Sequence, residues 1–435
     1  MRTLAVAAAA AVVAYVAVAL VASTLSAAES RRERVSAASS LVARGRQIFR
    51  YDTFGDQAFW GSALQLHRAI EGKALGGLGP GVSPRTALAV GLKVDATKIP
   101  KSVAAAIKAG KVNLQSPKTT LALLKLDAVV GVKGFFDKAG HLGSIGITCA
   151  VCHSTVDNSF APGIGRRLDG WPNRDLNVGA IIDLAPNKKP ITDLLRVDEA
   201  TVHKVLTTWG PGKFDAELFM DGKAFRPDGK SAATLIPAAF GLAGVNLHTY
   251  TGWGSVPYWN AFVANLEMHG IGNFDDDRLA NARQFPVAAR AGFAHVRHKV
   301  DLITSKLPAL QVYQLSLPVP HARNINRAAA LRGKAIFNGT GRCSGCHMPP
   351  AFTDAGWNLH TGEEICIDNF QSSRSPTFRY RTTPLRGLVA KMKGGFYHDG
   401  RFPTLRSVVD HYDSCFKLGL TDRQKNDLVE YLKGL

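Results

Sequence analysis

The chain has 435 residues, 46% hydrophobic and 8% aromatic, with 53 lysines and arginines against 34 acidic residues and a formal net charge of +19. That length excludes a single small domain and calls for two or more. The positive excess, in a sequence without a nucleic-acid-binding motif, points to acidic partners or anionic lipid, or to a basic surface that keeps the chain soluble.

At the N-terminus, Met1-Arg2 supplies a short positive start, and Leu4 to Ala22 is an almost unbroken Ala/Val/Leu run. Ser26-Ala27-Ala28 then places small residues where cleavage occurs. Residues 1–28 read as a secretory signal peptide. The apolar run also approaches the ~20 residues of a membrane span, so an uncleaved N-terminal anchor is the alternative. Either way the body of the chain is expected to be exported, in a bacterium to the periplasm.

Next comes Arg44-Gly45-Arg46-Gln47-Ile48-Phe49, which is echoed far downstream by Arg332-Gly333-Lys334-Ala335-Ile336-Phe337. Each copy reads as a helix whose apolar edge ends in Ile-Phe. In the second copy a Cys pair begins six residues after Phe337; in the first, Cys149 lies 100 residues after Phe49. An insertion of about residues 51–148 therefore separates the opening helix from its cysteines. Its Gly76-Gly77-Leu78-Gly79-Pro80-Gly81 cluster neither follows a clear strand nor opens a helix, and reads as a loop rather than a nucleotide cradle.

Two pentapeptides carry the chemistry: Cys149-Ala150-Val151-Cys152-His153 and Cys343-Ser344-Gly345-Cys346-His347. Thiols at this spacing add across the vinyl groups of a porphyrin, and the histidine that follows becomes the proximal ligand of its iron. Two zinc half-sites pooling four cysteines would not require His at that offset. Two covalently bound haem c groups are expected, attached through Cys149, Cys152, Cys343 and Cys346, with His153 and His347 on the irons. The remaining cysteines, Cys366 and Cys415, suit a disulfide in an oxidising compartment, or two free buried thiols.

Between the motifs, residues 209–275 hold Trp209, His248, Tyr250, Trp253, Tyr258, Trp259, Met268 and His269. Such aromatics line a pocket or relay oxidising equivalents, and equally serve as core. Pro318-Val319-Pro320 reads as a stiff linker into residues 321–435. At the end, Thr421 with Gln424 makes a capping box, and Leu428, Tyr431, Leu432 and Leu435 fall on one helical face. The expected fold is mainly α: two cytochrome c-like haem domains, 29–320 with the long insertion, and 321–435.

The C-terminal third is similar to the bacterial di-haem cytochrome c peroxidase superfamily, which includes the MauG-type enzymes. The resemblance rests on Arg332 to Phe337, Cys343 to His347, Thr383-Pro384-Leu385-Arg386, His398-Asp399-Gly400-Arg401 and Thr404-Leu405-Arg406-Ser407-Val408-Val409. It implies a C-terminal relay haem and an N-terminal haem at which peroxide or dioxygen reacts. It also implies a sixth ligand for the second haem from the helix after His-Asp-Gly. That position falls in Val409-Asp410-His411-Tyr412; Tyr412 matches best, and His411, Met392 and His398 are alternatives. The N-terminal match is looser: Gly163-Ile164-Gly165-Arg166 and Asn173-Arg174-Asp175-Leu176-Asn177 follow the first motif, but no His occurs between His153 and His203. His248 and His269 are the substitutes for a distal base, and Trp171 is a candidate for a place between the haems. The family's interdomain calcium is in doubt, because Lys393 and Gly395 stand where Thr and Pro would be expected.

The reading that follows is a periplasmic di-haem oxidoreductase reducing hydrogen peroxide with electrons from a small acidic donor. The alternatives are MauG-like or rubber-oxygenase-like oxidation of an organic or protein substrate, and a non-catalytic electron-transfer cytochrome. The resemblance also allows a homodimer.

Overall fold

The computed structural model describes residues 35–435. The signal peptide or anchor expected over residues 1–28 lies outside that range. Among the described residues no helix is long and apolar enough to cross a membrane.

Helices dominate, and the strands form only two-stranded pairs. Two helix crossings organise the chain. Residues 35–51 are helical, and Gly45, Ile48 and Phe49 are its buried positions at i, i+3 and i+4. A Cβ on Gly45 would overlap the carbonyl oxygen of Ala309 and lie 2.6 Å from Tyr313 Cβ. This helix therefore crosses Leu307–Ser316 at backbone contact, and Phe49 meets Tyr313 edge-on at 5.5 Å. The second crossing repeats the arrangement. In helix Arg327–Asn338 the buried positions are again Gly333, Ile336 and Phe337, with Ala329 one turn earlier. Gly333 touches the Asp427 carbonyl on the terminal helix Asp422–Gly434, and Phe337 meets Tyr431 edge-on at 5.2 Å. The echo read in the sequence is thus one packing device used twice: a glycine lets two helices close, and an aromatic one turn on locks the pair.

Polar anchors differ between the copies. At the first crossing the carboxylate of half-buried Asp169 accepts from Arg50 Nε (2.5 Å), Ser154 Oγ (2.8 Å) and the Tyr313 hydroxyl. It thereby ties the opening helix to the strand that follows the first motif. At the second, Arg332 forks onto Asp427 with two 2.7 Å bonds. The terminal helix starts at the Thr421/Gln424 capping box, with each side chain bonded to the other's main-chain N–H.

The insertion contributes helices Lys101–Lys108 and Pro117–Lys125 and an antiparallel hairpin, Val132–Phe136 with Leu142–Ile147. The hairpin is a strand pair that the glycine-rich sequence did not announce. Its last residue, Ile147, delivers the chain to Cys149. Leu317 to Asn326 connect the two crossings without a helix, and Val319 and Pro320 pack on Gly241 and Gly387. Buried and half-buried ion pairs join the sequence before this connection to that after it. Arg374, with no exposed surface, reaches Asp221 (2.8 and 3.0 Å) and Asp215 (2.9 Å); Arg226 reaches Asp368 (2.8 Å) and Asp399 (3.2 Å). A fully buried guanidinium is tolerated only when such partners replace its water, so these pairs fix how the segments meet.

Candidate functional site

Both CxxCH motifs line one continuous cavity of about 550 Å³. The first is wound into the helical turn Ala150–His153, between the hairpin and strand Ser154–Val156, which pairs with Arg167–Asp169. The second follows helix Arg327–Asn338 through the tight turn Cys343–Gly345. None of the four motif cysteines is paired in a disulfide.

The two motif histidines are held alike. His153 Nδ1 lies 3.1 Å from the Pro237 carbonyl oxygen, and His347 Nδ1 lies 3.0 Å from that of Phe352. A carbonyl oxygen only accepts, so each Nδ1 carries the proton and each Nε2 keeps a lone pair. Burial lowers both rings to about 4, so they stay neutral. This is the state in which imidazole ligates a metal, with the second nitrogen fixing tautomer and ring angle.

The remaining candidates separate. Helix Leu405–Phe416 turns Leu405, Val408, Val409, Tyr412 and Phe416 to the cavity. Tyr412 therefore faces it, stacked on Phe416 at 5.5 Å, with burial lifting its phenol to about 12. His411 points elsewhere, its Nε2 donating to the Ile365 carbonyl at 2.9 Å. Met392 does not line the cavity and is 40% exposed. His398 lines it, buried, with Nε2 unpartnered, its ring stacked on Tyr380 at 5.4 Å. Cys366 and Cys415 are joined in a disulfide that clips this helix to the turn Glu363–Ile365.

His248 lines the cavity but spends Nε2 on the Val245 carbonyl at 2.9 Å; burial, then Arg381, lowers it to about 4. His269 is stacked on Phe59 at 3.6 Å, outside the lining. Trp171 also stands behind the wall, edge-on to Phe240 at 6.4 Å. Lys393, in the supposed calcium region, places its ammonium on Asp175, which also takes Lys93 at 2.6 Å. One further trio of donor atoms, Cys346, Asp354 and His360, gathers within 4.8 Å; Cys346 there is already a motif residue.

A residue absent from the sequence reading is Glu267. Helix Val256–Phe262 runs on into a π-helical turn, Val263–Glu267, a widening frequently found at functional sites. Trp60 Nε1 donates to the Met268 carbonyl at 3.0 Å and braces this turn. Glu267 then lines the cavity, close enough to Cys152 for its charge to raise that thiol. Burial, reinforced by Glu217 and Asp215, pushes Glu267 up to about 8. A carboxyl group that holds its proton near neutral pH beside the first motif is a group able to give and take one. Nothing local marks it in sequence; its signal was its place between the aromatic Trp259 and the flagged Met268.

No family model matches the chain. Over 124 residues it is 32% identical to "Methylamine utilization protein MauG" of Methylorubrum extorquens, across 25% of this chain and 35% of that protein. Over that stretch the chain is similar to MauG. The matched stretch spans about a third of MauG's length, and the relationship expected from the C-terminal motifs is met to that extent. A solved structure, the hydrazine synthase of Kuenenia stuttgartiensis pressurised with 20 bar xenon, aligns over 51% of this chain and 86% of its own. At 19% identity and a TM-score of 0.28 it is too distant to bear on fold or function.

Proposed function

We propose that the chain is an exported di-haem c-type oxidoreductase that reduces hydrogen peroxide, with electrons passing from the C-terminal to the N-terminal haem. Several features of the residues support two haems. Four thiols and two neutral imidazoles in paired CxxCH motifs share one cavity. Around it Arg174, Arg381 and Arg386 each leave a buried Nε without a partner, as an anionic group would require. Cys149 and Cys152 would hold the first haem with His153 on iron; Cys343 and Cys346 the second with His347. Tyr412 is the proposed sixth ligand of the second, as the candidate on its helix that faces the cavity; His398 is the alternative. When bound, the haems supply the redox equivalents and the place where peroxide sits.

The protein's own part is proton handling and enclosure. Reducing peroxide to two waters consumes two protons with two electrons, and cleaving the O–O bond needs a proton on the departing oxygen. Glu267 would give its proton to the departing oxygen and be reprotonated from solvent. The carboxyl is protonated below about pH 8 and so is poised to donate. The apolar walls, Trp60, Ile147, Val151, Val263 and Met268, keep bulk water from competing. The excess of positive charge suits a small acidic periplasmic electron donor.

The observation that carries this reading is the Glu267 carboxyl in the cavity that both motifs share. The test is peroxide-dependent oxidation of a reduced small cytochrome by the haem-loaded protein, wild type and Glu267→Gln. Turnover in the wild type and its collapse in the variant, with both haems retained, is expected. No turnover in either would overturn it. A second reading, oxidation of an organic or protein substrate, is favoured by the MauG match and by Tyr412, whose oxygen would lower the potential of the second haem relative to a thioether.

A further inference from the structure

Arg174, Arg381, Arg386 and Lys391 gather on the cavity wall, and none of the four pairs with a carboxylate among the described residues. Their contacts go to main-chain oxygens: Arg174 to Lys393 (3.4 Å), Arg381 to Leu247 (3.1 Å), Arg386 to Gly241 (2.7 Å) and Ala243 (3.0 Å), and Lys391 to Pro384 and Arg386 (both 2.9 Å). Asp175, next to Arg174 in sequence, pairs with Lys93 and Lys393, and Asp399 pairs with Arg226 and Arg401. Packing like charges away from water without counter-ions is costly, and is retained in a fold when something anionic completes it. The strain shows in Lys391, which burial and then Arg381, Arg174 and Arg386 push down to about 7.

The cluster also sits between the motifs. On one side Phe240, three residues beyond the Pro237 that holds His153, lies under the Lys391 ammonium at 5.5 Å. On the other, Arg381, Arg386 and Lys391 follow the second motif and line the same cavity as His347. The four cations come from both ends of the sequence, Arg174 from the loop after the first motif and three from the segment after the second.

We propose that these four cations form the binding site for the carboxylate side chains of both haems, and that their charge raises both midpoint potentials. Two haems bring four carboxylates to four cations. Arginine suits the task because its planar fork pairs with carboxylate in two parallel bonds. The inference rests on the two-haem reading; its chemistry is carboxylate recognition, which a free carboxylate substrate would share.

The test is a redox titration of the haem-loaded protein after its haem content has been measured. Wild type is compared with Arg381→Gln, Lys391→Met and the charge-conserving Arg381→Lys and Lys391→Arg, each with and without added acetate. Losing one cation should lower both potentials, cutting the ferrous-to-ferric ratio at fixed ambient potential roughly tenfold, about 59 mV for one electron. The charge-conserving variants should stay near wild type, and acetate should change nothing. Because a charge-deleting variant could fail to mature, resonance Raman of Arg381→Lys gives a second reading: the haem carboxylate bending bands should shift. Two haems with unmoved potentials and unmoved bands would overturn the proposal. Wild-type potentials that follow acetate would assign the cluster to a free carboxylate instead and overturn it too. A protein without haem would remove the two-haem reading itself.

Discussion

Gly333 lies so close to Asp427 that a methyl group in place of its hydrogen would run into the Asp427 carbonyl oxygen, and would stand 2.9 Å from Tyr431 Cβ. The helix cannot retreat without pulling Phe337 off Tyr431 and Arg332 off Asp427. Gly333→Ala should therefore destabilise the protein by about 1–3 kcal/mol, the usual cost of overpacking. The same change at an exposed helical position would instead stabilise by reducing unfolded-chain entropy. Denaturant unfolding of Gly333→Ala and Gly45→Ala measures this; unchanged midpoints would mean that the crossings are loose.

Glu267→Gln should lower peroxide turnover by about 10²- to 10⁴-fold, the usual contribution of a placed acid–base group. Haem content should not change, because the amide keeps the shape. Its pH dependence has a definite sign. The wild-type carboxyl donates while protonated, so turnover should fall as pH rises through about 8. That limb should be absent from the residual activity of the variant. A limb that survives in Glu267→Gln would belong to another group.

Asp56 is fully buried, accepts Ile147 N–H at 3.1 Å through one oxygen and leaves the other without a partner. Burial pushes it up to about 9, far above the ~3.9 of an unfolded chain. A folded value above the unfolded one means that the folded state holds the extra proton. The stability it contributes is complete below about pH 4 and is lost as pH rises through 9. Asp56→Asn, which cannot ionise, should match wild type in mild acid and be the more stable of the two near pH 9. Parallel stability curves would show that Asp56 is ionised in the fold.

The Cys366–Cys415 disulfide spans 49 residues and clips the helix that carries Tyr412. Closing a loop of that length should be worth about 3–4 kcal/mol in the unfolded-chain entropy account. The double variant Cys366→Ser, Cys415→Ser should unfold earlier. It should also alter the absorption of the second haem while leaving the first unchanged. If only stability moves, the clip does not position Tyr412.

What sequence could show follows from how local each signal is. The CxxCH pentapeptides, the Gly-to-Phe echo and the Thr421 capping box are each complete within a few residues, and two of these are seen directly in the fold. Hairpin Val132–Phe136 with Leu142–Ile147 was hidden because glycines interrupt both strands, at Gly134, Gly143 and the buried Gly146, and break the period of two. Glu267 is one carboxylate among 34 acidic residues until folding buries it beside Cys152. Arg174 and Arg381 are some 200 residues apart, and their lack of counter-ions is a property of three dimensions. His269 and Met392 drew notice by residue type alone, and packing on Phe59 and exposure to solvent place them outside the cavity lining.

The most direct measurement is electron paramagnetic resonance of the haem-loaded protein after one electron per molecule has been added. That electron silences the higher-potential haem and leaves the other ferric. The account predicts a high-spin ferric signal, from a first haem with His153 on one side and a position open to peroxide beside Glu267. A purely low-spin spectrum would mean two strong protein ligands on the remaining iron, and would contradict a peroxide-reducing site.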